Sequence, residues 1–306
     1  MSDEEFEEPN LLGEEFNHHD AIVNGVRLHY VEAGSGPVML FVHGFPEFWY
    51  TWRHQLRAFR QSHRVVAPDM RGYNLSDKPP RVEQYAIAQL VEDLRQLIRH
   101  LGAEKVILVA HDWGGATAWA FAIAHPELVE KLVIINAPHP FVFLRELRDN
   151  PQQRAASQYM LMFRTPEAEA HLSADNFRPL WEFTYAAAHA AGHLDDADKA
   201  AYLAAWARPG ALAGGLNWYR ATPLAPPAMD APADRLPRLD PAGFRVKVPT
   251  LVIWGMGDKA LLPGKLEGLG ELVADLRIAT IPEATHWVVE EQPGRVNREI
   301  AAFIGH

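Results

Sequence analysis

Three features of the 306-residue sequence predict an α/β fold in which a mostly parallel central sheet, flanked by helices, is interrupted by an inserted all-helical cap. Short β-branched runs alternate with helical patterns through the first half of the chain. These runs are apolar throughout rather than at every second residue, as strands covered on both faces must be. From residue 139 to 222 the pattern turns wholly helical, and strand-like runs then resume.

In order, the chain opens with "MSDEEFEEPN", an acidic stretch expected to be a solvated tail over residues 1–16. "AIVNGVRLHYVEAG" reads as two strands joined at Asn24-Gly25, a dipeptide suited to the positive φ values of a tight hairpin. Strand and helix patterns then alternate: "VMLFVH" and "WYTWRHQLRAFRQ", "RVVAPD" and "IAQLVEDLRQLIRHLG", "KVILVAHD" and "GGATAWAFAIAHP", and finally "KLVIIN". The helical stretch, rich in Ala, Met and Trp, makes residues 139–222 an expected cap, followed by a proline-rich connector over 223–241. Two more strand and helix pairs complete the expected core, which comprises 17–138 and 242–306: "PTLVIWGMGD" with a helix after Pro263, and "LRIATIPEA" with "RVNREIAAFIG".

Composition narrows the function classes. A formal charge of −10, without any extended Lys/Arg block, argues against nucleic acid or an anionic membrane as partner. The absence of cysteine excludes disulfides and thiol chemistry. No apolar run approaches the roughly 18 residues of a membrane span, and the N-terminus lacks the pattern of a secretion signal, so a cytoplasmic location is expected. "HHD" at 18–20 lacks metal-ligand spacing, and no helix opens after "GSGP" at 34–37 to bind a phosphate. Neither a metal nor an organic cofactor is expected. Self-association into a homo-oligomer is compatible with this composition.

The reactive candidates lie at strand ends. Asp112 stands between the strand "KVILVA" and a helix expected to begin at Gly114, with small neighbours Ala110, Gly114 and Gly115. This is the pattern of a nucleophile elbow, although an Asp there could instead cap the helix. Asp258 follows a later strand and His286 the last one, giving the chain order nucleophile, acid, histidine.

With "HGFPE" (43–47), "DMRGYNLSDKP" (69–79), "HDWGG" (111–115) and "LNWYR" (216–220), the sequence resembles the α/β-hydrolase superfamily over residues 17–305, and within it the epoxide hydrolase branch. Asn74 stands where relatives usually carry glycine; Asn tolerates the left-handed region better than most residues. The resemblance implies that the Asp112 carboxylate attacks saturated carbon and forms an alkyl ester, and that His286, oriented by Asp258, activates the hydrolytic water. It assigns the oxyanion donors to the backbone N–H groups of Phe45 and Trp113, with His43 and Pro46 shaping that loop. It makes Tyr159 and Tyr219 the acids that protonate the opening epoxide. The substrate implied is a small apolar epoxide, consumed with water. Two alternatives stay open: a haloalkane or haloacid dehalogenase with the same Asp, His, Asp set, and a non-catalytic ligand receptor on the same fold.

Overall fold

The computed structural model describes residues 16–232 and 236–305; the acidic tail expected at the N-terminus lies outside them except for Phe16, which is buried against Trp49. Strand β1 (Asn17–Val23) pairs antiparallel with β2 (Val26–Ala33) through a turn in which Asn24 adopts φ 45°. Next come β3 (Val38–Val42), a 3₁₀ turn (Trp49–Trp52), α1 (Arg53–Phe59) and β4 (Arg64–Pro68). Then follow α2 (Ile87–His100), β5 (Val106–His111), α3 (Asp112–Ala124) and β6 (Val129–Ile135). The sheet ends with β7 (Thr250–Gly255) and β8 (Leu276–Ile281).

The eight strands lie in the order β1-β2-β4-β3-β5-β6-β7-β8, with β2 antiparallel to β4 and every later pair parallel. β3, β5 and β7 are buried at every residue, which is why they read as unbroken apolar runs. Helix α2 shows the complementary pattern: Leu90, Leu94, Leu97 and Ile98 form one buried stripe at helical spacing. Asp93 on that stripe is buried too, and is satisfied by a bidentate pair with Arg71 at 2.6 and 2.7 Å. No helix among the described residues is long and apolar enough to cross a membrane.

Between β6 and β7 lie α4 (Pro140–Asp149), α5 (Pro151–Ala156), α6 (Tyr159–Phe163), α7 (Ala168–Phe183), α8 (Ala186–Ala190), α9 (Asp196–Ala207) and α10 (Ala211–Ala221). α7 is not continuous, because Asp175, Asn176 and Phe177 take left-handed φ values of 50° to 62° and divide it. After β8 come α11 (Val288–Glu291) and α12 (Pro293–Ile304). The helix expected after Pro263 is absent: two 3₁₀ turns, Pro263–Leu266 and Leu269–Glu271, occupy the segment. Gly264, Gly268 and Gly270 weaken helix propagation there, and Gly268 sits at φ 75°, outside the helical region.

One buried ionic cluster ties the helical insertion to the sheet layer. Arg53 of α1 bonds both carboxylate oxygens of Glu290 at 2.7 Å and reaches Asp198 of α9 at 3.0 Å. Tyr202 donates to Glu290 at 2.6 Å and Tyr50 to Asp198 at 2.9 Å. Each charge in this cluster has charge-assisted partners, as its burial requires. Removing the cation would strand two carboxylates. Arg53→Ala is therefore expected to cost about 3–5 kcal/mol in urea denaturation, and an unchanged midpoint would refute the joint.

Candidate active site

Strand β5 passes into α3 without a connecting residue, because Asp112 adopts φ 49° and reverses the chain in one step. A non-glycine residue at positive φ costs of order 1–3 kcal/mol and persists only where its surroundings enforce it. The helix thus starts two residues before Gly114. His111, not Asp112, occupies the N-cap position, and the Asp112 side chain does not cap the helix. Instead its Oδ1 accepts the Phe45 N–H at 2.8 Å.

That approach demands glycine on both sides. A Cβ on Gly44 would lie 2.3 Å from Asp112 Oδ1, and one on Gly114 would lie 2.3 Å from the Val42 carbonyl. No side chain fits in either gap. The loop carrying Phe45 is held by His43, whose Nε2 accepts the Met70 N–H at 2.9 Å while Nδ1–H donates to the Gly44 carbonyl at 2.8 Å. The tautomer follows from those partners. The Phe45–Pro46 peptide is cis, and the Pro46 carbonyl accepts the Trp206 indole N–H from α9 at 2.6 Å. Trp113 is the second residue of α3, so its N–H has no partner within the helix.

Asp258 and His286 meet Asp112 at the same sheet edge. His286 Nδ1–H donates to Asp258 Oδ2 at 2.7 Å, and Nε2 faces Asp112 Oδ2 at 3.4 Å. Asp258 accepts three further donors: Asn136 Nδ2 at 2.8 Å on Oδ2, and the N–H groups of Ala260 and Leu261 at 2.9 and 2.8 Å on Oδ1. Burial opposes its charge, but the His286 charge and these hydrogen bonds outweigh it and hold the carboxyl below its usual range. Burial likewise opposes ionisation of Asp112, and is outweighed by the hydrogen bond and charge of His286, with His111 and the Phe45 N–H adding to them. For His286 burial disfavours the cation, yet Asp258 and then Asp112 raise it well above the usual imidazole range.

Three residues that the sequence reading did not single out complete the frame. Glu47 is buried, accepts the Gly44 N–H at 2.7 Å, and bonds His111 Nδ1 at 2.9 Å. His111 Nε2 in turn bonds the His286 carbonyl at 2.9 Å. A single carboxylate thereby links the Phe45 loop to the His286 loop. Asn136, which holds Asp258 through Nδ2, also accepts the Gly255 N–H on Oδ1 at 2.8 Å. All three were visible as polar residues inside or just after apolar runs, the same signal that marks Asp112, Asp258 and His286.

Tyr159 of α6 and Tyr219 of α10 sit opposite Asp112, with ring centroids 6.2 Å apart. Two cavities share Asp112, Tyr159 and Tyr219 in their walls. The smaller is apolar, bounded by Trp113, Phe143, Met160, Leu224 and Leu261; the larger also reaches Phe45, Asp258 and His286. The Trp113 ring meets Tyr219 edge-on at 5.0 Å. Burial raises the Tyr159 hydroxyl first and the Asp112 charge second; for Tyr219 burial again leads, followed by Tyr159 and Asp112. Both phenols consequently stay protonated at neutral pH and can donate.

A family model described as the alpha/beta hydrolase fold matches residues 37–293. Among curated proteins, "Epoxide hydrolase 2" of Caenorhabditis elegans is 36% identical over 98% of this chain and 82% of its own. "Epoxide hydrolase 4" of Homo sapiens is 37% identical over 92% of this chain and 76% of its own. Among solved structures, a Bacillus megaterium epoxide hydrolase in complex with an inhibitor superposes with a TM-score of 0.88 at 38% identity, covering 94% of this chain and 100% of that one.

The electrostatic coupling of Asp112 to His286 has a measurable sign. Asp112→Asn removes a negative charge that favours the imidazolium, so His286 is expected to titrate at lower pH by NMR. An unmoved titration would mean that the two side chains do not interact.

Proposed function

The chain belongs to the α/β-hydrolase fold family, and from that premise we propose that it hydrolyses epoxides to vicinal diols through an ester on Asp112. The observation that carries this reading is the placement of two protonated tyrosines across a shared cavity from a buried carboxylate. An opening epoxide leaves as an alkoxide, which needs a proton donor, whereas a halide does not. A dehalogenase would leave both phenols without a task, and a receptor has no use for a complete Asp, His, Asp set.

In the first step an Asp112 oxygen bonds to a ring carbon, the oxirane C–O bond breaks, and its oxygen takes a proton from Tyr159 or Tyr219. Charge on Asp112 vanishes as the ester forms. The contribution that Asp112 made to His286 protonation vanishes with it, so the imidazolium gives up its proton, a proton returns to the phenolate through solvent, and the neutral imidazole can act as base. His286 then takes a proton from water as the water attacks the ester carbonyl. The resulting oxyanion is met by the N–H of Phe45, already directed at Oδ1, and by that of Trp113. Collapse expels the diol oxygen, which His286 reprotonates. His43 and Pro46 hold the Phe45 loop, and Asp258 keeps the His286 ring in register. The walls formed by Phe143, Met160, Leu224 and Leu261 favour a small apolar substituent on the substrate.

Two measurements test the scheme. His286→Gln is expected to trap the ester, seen as an intact-mass gain of one substrate; no gain under turnover conditions would point to direct attack by water. For the tyrosines, each Phe variant should lose about 30- to 1,000-fold in alkylation rate, equivalent to roughly 2–4 kcal/mol for one preorganised donor. The double variant should be nearly inert toward epoxides but far less impaired toward a bromoalkane. Equal losses on both substrates would remove the tyrosines from the acid role.

A further inference from the structure

Beside the acid loop lies a buried ammonium that the scheme above does not use. Lys265 is 1% exposed, and its Nζ donates to Gln153 Oε1 from α5 and lies 5.7 Å from the centre of the Phe143 ring. Gln153 is fully buried and uses both ends of its amide. Its Oε1 also accepts the Leu262 N–H at 2.9 Å, and its Nε2 donates to the Ala260 carbonyl and to Ser157 Oγ, both at 2.8 Å.

The segment gripped in this way is the one that holds the catalytic acid, since the N–H groups of Ala260 and Leu261 are donors to Asp258. On the other side of the clip, α5 leads within three residues to Tyr159. One glutamine therefore joins the loop that orients the base to the helix that immediately precedes a proposed proton donor. The charged groups facing the ammonium are Asp258, from the loop after β7, and Glu146, from α4. Burial pushes Lys265 down to about 7, and those two carboxylates oppose that fall, so the amine carries its charge below neutral pH.

We propose that Gln153 and Lys265 are positioning residues for ester hydrolysis: the clip fixes the Asp258 loop against α5, and the Lys265 charge beside Asp258 weakens the hold of that carboxylate on the His286 proton. The inference rests on the two-step reading above. A second cation near Asp258 disfavours the imidazolium, so the base becomes available at lower pH than Asp258 alone would allow.

The test is single-turnover kinetics of Lys265→Met across pH 5 to 9, following ester formation and ester decay separately, beside thermal melting. Removal of a buried ammonium relieves a desolvation cost, so the variant should melt at or above the wild-type temperature at pH 7. The acid limb of ester decay should move upward by about half to one pH unit, while ester formation keeps its wild-type profile. Lys265→Gln, which keeps a polar group but no charge, should show the same displacement and serves if the Met variant folds poorly. A purely structural lysine would alter melting without moving the limb, and that result overturns the inference. Absence of any ester in the wild-type traces would overturn the parent reading as well, whereas a two-phase wild type with an unmoved limb in the variants overturns the positioning role alone.

Discussion

The left-handed turn at Asp112 is the constraint on which the rest of the site depends. It sends β5 directly into α3 and leaves the carboxylate projecting from the sheet edge, not folded back as a helix cap. The turn can exist only because the Phe45 loop and the start of α3 come together with hydrogen atoms where side chains would be, at Gly44 and Gly114. Given that contact, the Phe45 N–H reaches Oδ1, and the other oxygen is left facing His286. Strain at this one residue is balanced by that hydrogen bond and that ionic contact.

Burial of so much charge would be unfavourable unless each group were satisfied, and the network is built to that requirement. Asp258 receives four donors, and Glu47 bridges Gly44 and His111. The arrangement separates two tasks in time. While Asp112 is a carboxylate, it adds to the hold that Asp258 exerts on the His286 proton; in the proposed ester that addition is lost. In the proposed scheme the same imidazole is a counter-ion in the first step and a base in the second. The proposed proton donors lie on the opposite wall, where burial keeps both phenols neutral.

Much of this was legible in the sequence because fully buried parallel strands and an elbow of small residues leave strong local signals. "VMLFVH", "KVILVAHD" and "PTLVIWGMGD" each mark a strand and the polar group at its end. The segment after Pro263 misled, since three glycines within seven residues outweigh its apolar spacing. The helical start at Asp112, two residues before Gly114, was hidden because only tertiary contact holds an aspartate at positive φ. Glu47, His111 and Asn136 were present inside recognised stretches, but their roles depend on loops far apart in the chain. The clip of Gln153 and Lys265 spans 112 residues and leaves no periodic trace.

In the proposed reaction the new diol oxygen comes from Asp112 and not directly from solvent. A single turnover with enzyme in excess over an epoxide, carried out in ¹⁸O-labelled water, tests it most directly. The account predicts an unlabelled diol, with ¹⁸O incorporated into the peptide that contains Asp112. Label in the diol after that first turnover, with none in the protein, would contradict it.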